Sequence, residues 1–344
     1  MSPSGARRPR LAFVGLGWIG AMRLEAVAER GAAEVAALCD TDRARLEQVG
    51  QRHPGALGFE HYDELLDAAP ELGLDGVVIA TPNADHPAQT IPALERGLAV
   101  FCQKPLATRS ADAAAMVAAA RAADRLLGVD YSYRHTDGLL ALRRMVRDGE
   151  LGHVFMIRAV FHNAYGPDKA WCRDPERPGG GALIDLGVHL VDQALWLLER
   201  DDVRAAHGRV FRGGVPIESA PVIDDFATAA LHLEDGPAVE LAVSWNAHAG
   251  RDCVIRTTVY GTAGGAEFRN VDSSFYDFEV ERFTGREGRI VLRESRDWLG
   301  RCILDWTERL ARSPGYDPEI ERSVRVAEII EAVYAGGRAP AAVT

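Results

Sequence analysis

The chain has 344 residues, of which 47% are hydrophobic and 26% are charged, and its formal net charge is −11. This composition is typical of a globular protein with about two domains, and it excludes a disordered, collagenous or disulfide-stapled chain. The acidic balance, without a stripe of Lys or Arg, argues against nucleic acid as a partner, and the lack of an 18-residue apolar run argues against a membrane span. We expect a cytoplasmic protein with reduced thiols, because the first ten residues lack a signal-peptide cleavage pattern and the five cysteines form no C-x-x-C pair.

The first part of the chain alternates short apolar runs with helical patterns. The apolar runs predict buried strands, and Ala-rich stretches around 86–96 and 110–124 predict helices between them. The predicted strands are 11–15, 34–40, 75–81, 98–102 and 126–132. This alternation is typical of the α/β class and predicts a doubly wound parallel sheet with helices on both faces. We assign this first domain to residues 1–134.

The rest of the chain has a different pattern, dominated by alternating apolar and polar residues. One strong helix is predicted at 182–199, and two more follow at about 299–312 and 318–335. The predicted strands are 153–162, 203–211, 223–233, 238–247, 253–260, 265–269 and 276–282. We therefore expect a second α/β domain over residues 135–344, with a large, mainly antiparallel open sheet and helices on one face.

A glycine-rich turn lies between the first predicted strand and the first helix. Its G-x-G-x-x-G pattern permits a tight turn and a close approach of the backbone to a pyrophosphate at the helix N-terminus, although a turn without a ligand is the alternative. Asp40 ends the second strand 20 residues after the turn, where an acid that binds the ribose is expected. Asp40 favours NAD because it repels a 2′-phosphate, whereas the neighbouring Arg43 keeps NADP possible. The turn consists of Gly15, Leu16, Gly17, Trp18, Ile19 and Gly20.

Lysine is rare in this chain: Lys104 and Lys169 are the two lysines among 39 basic residues, and the other 37 are arginines. Lys104 follows the fourth predicted strand, and ligands of open parallel sheets bind at the carboxyl ends of the strands. The pKa of a lysine can be tuned by burial, whereas an arginine stays charged. We interpret Lys104 as a catalytic candidate; the alternative is a surface lysine before the turn residue Pro105.

A polar stripe runs along the otherwise apolar helix predicted at 182–199. Asp185 and His189 are spaced i, i+4 and share one face, and Asp192 extends that face at i+7. Because unpaired burial of polar groups is costly, such a stripe either pairs within the core or faces a site. We favour a catalytic pair. The alternatives are a buried Asp–His pair and a metal site, for which no third ligand is evident.

Four motifs occur in order between residue 11 and about residue 192. They are Gly15-x-Gly17-x-x-Gly20, Thr81-Pro82-Asn83-x-x-His86, Lys104-Pro105, and Gly179-Gly180-Gly181-x-x-x-Asp185-x-Gly187-x-His189. In this combination the chain resembles the Gfo/Idh/MocA family of oxidoreductases. The resemblance implies a Rossmann domain followed by an α/β domain whose open sheet often forms an oligomer interface, hence a homodimer or homotetramer. It also implies NAD(P)-dependent oxidation or reduction of carbinol carbons, mostly of sugars and cyclitols.

The resemblance also implies roles for individual side chains. Histidine titrates near neutral pH, so His189 would be the general acid or base, while Lys104 would stabilise charge on the same oxygen and Asp185 would position the substrate or the imidazole. Whether Lys104 or His189 carries the proton stays open. Beyond the glycine turn, the expected cofactor contacts are Asp40, Arg43, Thr81, Pro82, Asn83, His86 and Gln103. The expected substrate contacts are Asn163, Lys169, Trp171 and Arg173, and no metal is expected.

Two positions depart from the family pattern. Gln103 stands where the family has a glutamate before the lysine, which removes a charge beside the amine. Cys172 stands in the place of an arginine in the predicted substrate loop, and Arg173 is the candidate to replace it.

These observations favour an NAD(P)-dependent dehydrogenase or reductase that acts on a sugar, cyclitol or nucleotide-sugar derivative. One alternative keeps the same residues and uses transient oxidation to drive elimination or glycoside cleavage. Another is a non-catalytic NAD(P)-binding regulatory protein, which would have no need for the acid/base residues Lys104, Asp185 and His189.

Overall fold

The computed structural model describes residues 7–167, 180–217, 223–295 and 298–335. The chain divides into two compact units. The first comprises Met1–Ser132 and Leu299–Val324, and the second comprises Tyr133–Trp298 and Arg325–Thr344. The structure differs from the sequence prediction for residues 299–324, which pack with the first unit although they follow the second in the chain.

Within the described residues, the first unit contains a sheet of six parallel strands in the order β3-β2-β1-β4-β5-β6. The strands are β1 (Arg10–Val14), β2 (Glu34–Cys39), β3 (Leu57–Phe59), β4 (Gly76–Ile79), β5 (Ala99–Cys102) and β6 (Leu127–Val129). The connecting helices are α1 (Trp18–Arg30), α2 (Arg43–Arg52), α3 (Tyr62–Leu72), α4 (His86–Glu95) and α5 (Ser110–Ala123). This confirms the predicted doubly wound sheet. β3 was not predicted because it is short and mostly exposed.

The direction of winding reverses between β1 and β4, which are neighbours in the sheet. In open α/β sheets a ligand binds at such a switch point, outside the carboxyl ends of the strands. The glycine turn follows β1, and the segment that begins at Thr81 follows β4, so both lie at that edge.

Both faces of the first sheet are covered, so its central strands are apolar throughout: all residues of β4 and β5 are buried. A late helix, α8 (Arg301–Arg312), contributes to this core. Its Trp306 is 3% exposed and packs on Phe101 of β5, with ring centroids 5.5 Å apart. Burial of this large ring explains why residues 299–324 belong with the first unit.

Among the residues that the structure describes, the second unit contains a sheet of nine strands in the order β15-β14-β13-β12-β7-β11-β10-β8-β9. They are β7 (Val154–Asn163), β8 (Val203–Arg212), β9 (Val215–Pro216), β10 (Phe226–Leu233), β11 (Ala238–Ser244), β12 (Cys253–Gly261), β13 (Gly265–Asn270), β14 (Phe278–Thr284) and β15 (Glu287–Glu294). β7 and β11 are parallel and the other neighbours are antiparallel, as predicted for most of the sheet. β15 was not predicted, because its residues are largely charged and exposed.

Helices cover one face of this second sheet. They are α6 (Asp137–Arg147), α7 (Val188–Leu198) and the part of α9 (Glu321–Tyr334) that begins at Arg325. Gln193 of α7 accepts a hydrogen bond from the hydroxyl of Thr257 on β12 at 2.8 Å, which ties the helix to the sheet. The opposite face carries charged side chains such as Arg158, which pairs with Glu240 at 2.8 Å. The alternating pattern of the strands therefore reflects one apolar and one polar face.

Candidate active site

The glycine turn joins β1 to α1 under tight steric constraints. Gly15 has a φ of +81°, and a Cβ on it would lie 2.6 Å from the carbonyl oxygen of Ala80. A Cβ on Gly20 would lie 1.9 Å from the carbonyl oxygen of Gly15. Glycine is therefore required at both positions, because any side chain would collide with the backbone.

The N-terminus of α1 is open where a phosphate would bind. Gly17 is the N-cap, so no side chain caps the first N–H groups of the helix. A Cβ on Gly17 would meet no atom within 4 Å. Trp18, the first residue of α1, is 60% exposed, and Ile19 is half-buried. A helix N-terminus without a side-chain cap, preceded by open space, fits the pyrophosphate of a dinucleotide.

Asp40 follows β2 and is held against the glycine turn. Its Oδ2 accepts a hydrogen bond from the N–H of Leu16 at 2.7 Å. Arg45 also approaches this carboxylate, with its Nη1 3.2 Å from Oδ2. The predicted neighbour, Arg43, is exposed and lies 3.0 Å from Glu47, and its contact with the cofactor stays a prediction. The cation that partly offsets the charge of Asp40 is Arg45.

The segment after β4 lies at the same edge as the glycine turn. Thr81, Pro82 and Asn83 are half-buried there. The hydroxyl of Thr81 donates a hydrogen bond to Oε1 of Gln89 at 2.5 Å, which fixes the segment on α4. Contact of these three residues with the cofactor stays a prediction.

His86 begins α4 and is fully buried. Its Nδ1 lies 2.9 Å from the carbonyl oxygen of Pro105, and its Nε2 lies 3.1 Å from that of Thr81. Burial lowers the pKa of His86, while its hydrogen bonds with backbone carbonyl oxygens act in the opposite direction. We correct the prediction that His86 contacts the cofactor: a side chain without exposed surface joins the end of β4 to the segment that contains Lys104.

Lys104 follows β5 and is half-buried, and its peptide bond with Pro105 is cis. The preceding side chain, Gln103, is 7% exposed, and its amide donates a hydrogen bond to Oδ2 of Asp130. The same oxygen accepts a hydrogen bond from Nε of Arg23 at 2.5 Å, and the side chains of Arg23 and Asp130 are 2% and 0% exposed. A buried ion pair therefore holds the residue before the candidate lysine. Contact of Gln103 with the cofactor stays a prediction.

In the second unit, the predicted catalytic helix begins with a π-helical turn, Leu183–Gly187, and continues as α7. Asp185 lies half-buried in this turn, and the indole N–H of Trp245 donates a hydrogen bond to its Oδ2 at 2.9 Å. His189 is 7% exposed, and its ring meets that of Tyr133 edge to face at a centroid distance of 4.9 Å. The helix thus carries both candidate residues, and π-helical turns are frequent at functional sites.

Asp192, the third member of the polar stripe, forms a core ion pair. Arg134 Nε donates a hydrogen bond to Oδ2 of Asp192 at 2.8 Å, and the two side chains are 12% and 2% exposed. The guanidinium of Arg134 also lies 5.9 Å from the ring centroid of Trp196. The carboxylate of Asp192 is therefore paired inside the protein, which is one of the two outcomes expected for the polar stripe.

Of the four predicted substrate residues, Asn163 lies within the described part of the chain, whereas Lys169, Trp171 and Arg173 lie outside it. Asn163 ends β7, and its Oδ1 is buried without a hydrogen-bond partner among the described residues. Contact of Asn163 with the substrate stays a prediction. In the described part, no group of three His, Cys, Asp or Glu side chains is arranged to hold a metal ion.

Several residues that contact predicted site residues were not predicted from the sequence, among them Arg45, Tyr133 and Trp245. Tyr133 and Trp245 are remote in sequence from the helix that they contact, so no local pattern connects them to it. The available signal for Trp245 was its place near the end of the strand predicted at 238–247.

Comparisons with known proteins agree with this arrangement. Residues 9–131 match the family described as "Oxidoreductase family, NAD-binding Rossmann fold", and residues 139–267 match the "GFO/IDH/MocA C-terminal domain". The chain belongs to the Gfo/Idh/MocA family of oxidoreductases. This family member is 33% identical over 285 residues to a D-apiose dehydrogenase of Paraburkholderia graminis, which covers 81% of this chain and 71% of the relative.

Two further relatives extend the comparison. The chain is 28% identical over 288 residues to an inositol 2-dehydrogenase of Saccharopolyspora erythraea, which covers 83% of this chain and 79% of the relative. The crystal structure of an aldose-aldose oxidoreductase from Caulobacter crescentus, complexed with glycerol, shares the fold with a TM-score of 0.82 at 22% identity, over 96% of this chain and 98% of that one.

The family membership confirms the predicted enzyme class and cofactor. This Gfo/Idh/MocA protein is an oxidoreductase whose first unit is an NAD-binding Rossmann domain. Within the described part of the chain, no helix is long and apolar enough to span a membrane.

Proposed function

We propose that this enzyme is an NAD(P)-dependent dehydrogenase or reductase that transfers hydride between the nicotinamide and a carbinol or ketone carbon of a sugar, cyclitol or nucleotide-sugar derivative. The observation that carries the proposal is the Asp185–His189 pair. It places a carboxylate and an imidazole about one turn apart on a helix whose other side chains are mostly apolar and buried. Such a pair suits proton transfer at neutral pH.

Oxidation of a carbinol requires that its hydroxyl lose a proton as its carbon loses hydride. In this proposal His189 accepts that proton, or returns it when a ketone is reduced. The ammonium group of Lys104 stabilises the negative charge that develops on the oxygen. Asp185 orients the substrate or the imidazole. The bound NAD(P) supplies the acceptor or donor of the hydride.

The nucleotide edge of the first unit supports NAD as the preferred cofactor, with NADP accepted more weakly. Asp40 would accept hydrogen bonds from the ribose hydroxyls, and its negative charge disfavours a 2′-phosphate. Arg45, 3.2 Å from that carboxylate, offsets part of the charge and keeps binding of NADP possible. The remaining proposed contacts are Gly15, Gly17, Trp18, Ile19, Gly20, Thr81, Pro82, Asn83 and Gln103.

The relatives support a polyhydroxylated substrate, since two of them are named for D-apiose and for inositol. We propose Asn163, at the end of β7, as one contact of this substrate. We propose Lys169, Trp171 and Arg173 as further contacts of this substrate, in the segment that follows β7.

We also propose that the protein is a homodimer or homotetramer in the reducing cytoplasm. The family resemblance supports the oligomer, and light scattering on the purified protein would measure its mass. The four cysteines in the described residues are free and buried, which supports a reducing compartment.

An anaerobic assay at 340 nm tests the proposed function. NAD and NADP are supplied in parallel with D-apiose, inositol, a D-glucoside and a UDP-sugar. We expect turnover with at least one compound, and a loss of about 100-fold or more in Lys104→Ala and in His189→Ala. His232→Ala, which removes an exposed histidine of β10, is the matched control and should retain activity.

Two results would contradict the proposal. Conversion of substrate without accumulation of NADH would indicate elimination or glycoside cleavage through transient oxidation. Tight binding of NAD with no turnover on any compound would favour a regulatory protein.

A further inference from the structure

Trp245 links the second sheet to Asp185. It follows β11 directly and is 3% exposed. Its indole N–H donates a hydrogen bond to Oδ2 of Asp185 at 2.9 Å. A hydrogen bond to an ionised carboxylate is roughly twice as strong as one to a neutral acceptor, so this contact fixes the orientation of the carboxylate.

The two residues that precede β10 anchor both sides of this contact. The carbonyl oxygen of Asp225 accepts a hydrogen bond from the backbone N–H of Trp245 at 2.8 Å. The carbonyl oxygen of Asp224 accepts one from the N–H of Ala182 at 2.9 Å, and its Oδ2 accepts one from the N–H of Leu183 at 2.9 Å. The start of the π-helical turn and Trp245 are therefore held by the same dipeptide.

The anchor also accounts for the last glycine of the Gly179-Gly180-Gly181 run. A Cβ on Gly181 would lie 2.0 Å from Oδ1 of Asp224. Asp224 is fully buried, and the hydroxyl of Tyr334 donates a hydrogen bond to the same Oδ1 at 2.6 Å. Gly181 is thus needed so that Asp224 can reach the start of the helix.

We propose that Trp245 is a positioning residue for the reaction, which holds the Asp185 carboxylate in the orientation in which it acts on the substrate or on His189. The inference rests on the proposed function, because Trp245 acts through a residue of the proposed catalytic set. It predicts that the indole N–H, and not merely the bulk of the ring, is required.

The chain offers a matched control in Trp298. This residue is also 3% exposed, and its indole N–H also donates a hydrogen bond at 2.9 Å, but to the carbonyl oxygen of Tyr276. Trp245→Phe and Trp298→Phe therefore each remove one buried indole N–H and keep an aromatic ring. The ring of Trp298 packs on that of Tyr133 at a centroid distance of 5.2 Å, and Tyr133 contacts His189, so a loss that arises from packing near the site would appear in this variant as well.

Kinetics of NAD reduction with inositol and with D-apiose give the first test. We expect Trp245→Phe to lower kcat/KM by about tenfold or more. Trp298→Phe should stay within about threefold of the wild type. In an Asp185→Ala background, Trp245→Phe should have little further effect, since the partner is already absent. Affinity for NADH should be unchanged.

Indole ¹⁵N–H spectra give a second test that needs no turnover. The chain has six tryptophans, so Trp245→Phe identifies its signal by loss of one resonance. We expect that resonance to titrate with pH in the wild type and to stop titrating in Asp185→Asn.

The outcomes separate this inference from the proposed function. Equal losses in the two tryptophan variants, or additive effects of Trp245→Phe and Asp185→Ala, would overturn the positioning role while wild-type turnover still supported the proposed function. If the Trp245 resonance does not change in Asp185→Asn, the positioning role is overturned at any level of activity. If the wild type is inactive on both compounds, the proposed substrates are contradicted. A Trp245 resonance that changes in Asp185→Asn would still support the Trp245–Asp185 hydrogen bond.

Discussion

Asp130→Asn would remove the negative charge from a buried ion pair while keeping nearly the same shape. In the wild type, Nε of Arg23 lies 2.5 Å from Oδ2 of Asp130, and the side chains are 2% and 0% exposed. Asparagine still presents a carbonyl oxygen to the amide of Gln103 and to Arg23. The substitution therefore removes the charge while it keeps an acceptor for these two hydrogen bonds.

The expected cost follows from the burial of Arg23, which stays charged without a carboxylate beside it. Removal of one partner of a buried ion pair costs about 3–5 kcal/mol. For domains of 150–250 residues, each kcal/mol corresponds to roughly 2–4 °C in Tm, so we expect the Tm of the first unit to fall by roughly 6–20 °C. Urea unfolding followed by circular dichroism, together with calorimetry, would measure both quantities.

Two further variants make this test decisive. Glu240→Gln removes the charge from an exposed pair with Arg158, whose side chains are 49% and 58% exposed, and should cost less than about 1 kcal/mol. The double variant Arg23→Met/Asp130→Leu should recover part of the stability lost by Asp130→Asn, because apolar replacement of a whole buried pair is often neutral, whereas the amide of Gln103 loses its acceptor. If Asp130→Asn lies within about 1 kcal/mol of the wild type, the reasoning about the buried charge is refuted.

Three other substitutions examine the glycine turn, the Asp40–Arg45 contact and the buried Asp224. Gly20→Ala should weaken NADH binding by more than about tenfold in a fluorescence titration, whereas Gly50→Ala, where a Cβ meets nothing within 4 Å, should not. Arg45→Ala should raise the ratio of the NADP to the NAD dissociation constant several-fold, because Asp40 then repels the 2′-phosphate without a cation beside it; an unchanged ratio would contradict this. Burial raises the pKa of Asp224 to about 6, so its protonated form stabilises the fold at low pH and this stability is lost as pH rises from about 4 to about 6. Across this range, the free energy of unfolding of the wild type should therefore decline by about 3 kcal/mol relative to that of Asp224→Asn. If the two proteins give parallel curves of this free energy against pH, the raised pKa is excluded.

The residue pattern by itself determined the fold class and the nucleotide-binding edge. Strands buried on both faces read as continuous apolar runs, and the glycine turn, Asp40 and Lys104 stand directly at the ends of such runs. Because the carboxyl ends of parallel strands meet at one edge, the order of the runs was enough to place these residues there. The sequence spacing likewise placed Asp185 and His189 on one helical segment.

The tertiary structure decided which partner each polar side chain takes. Arg45 rather than Arg43 reaches Asp40, and His86 is enclosed between two carbonyl oxygens instead of facing the cofactor. Trp245, 60 residues from Asp185 in sequence, is brought to it by the sheet, and α8 returns to the first unit to bury its tryptophan. Hydrogen bonds and ring contacts act over a few ångströms regardless of separation along the chain, so local patterns could predict the elements and their edges but not these partners.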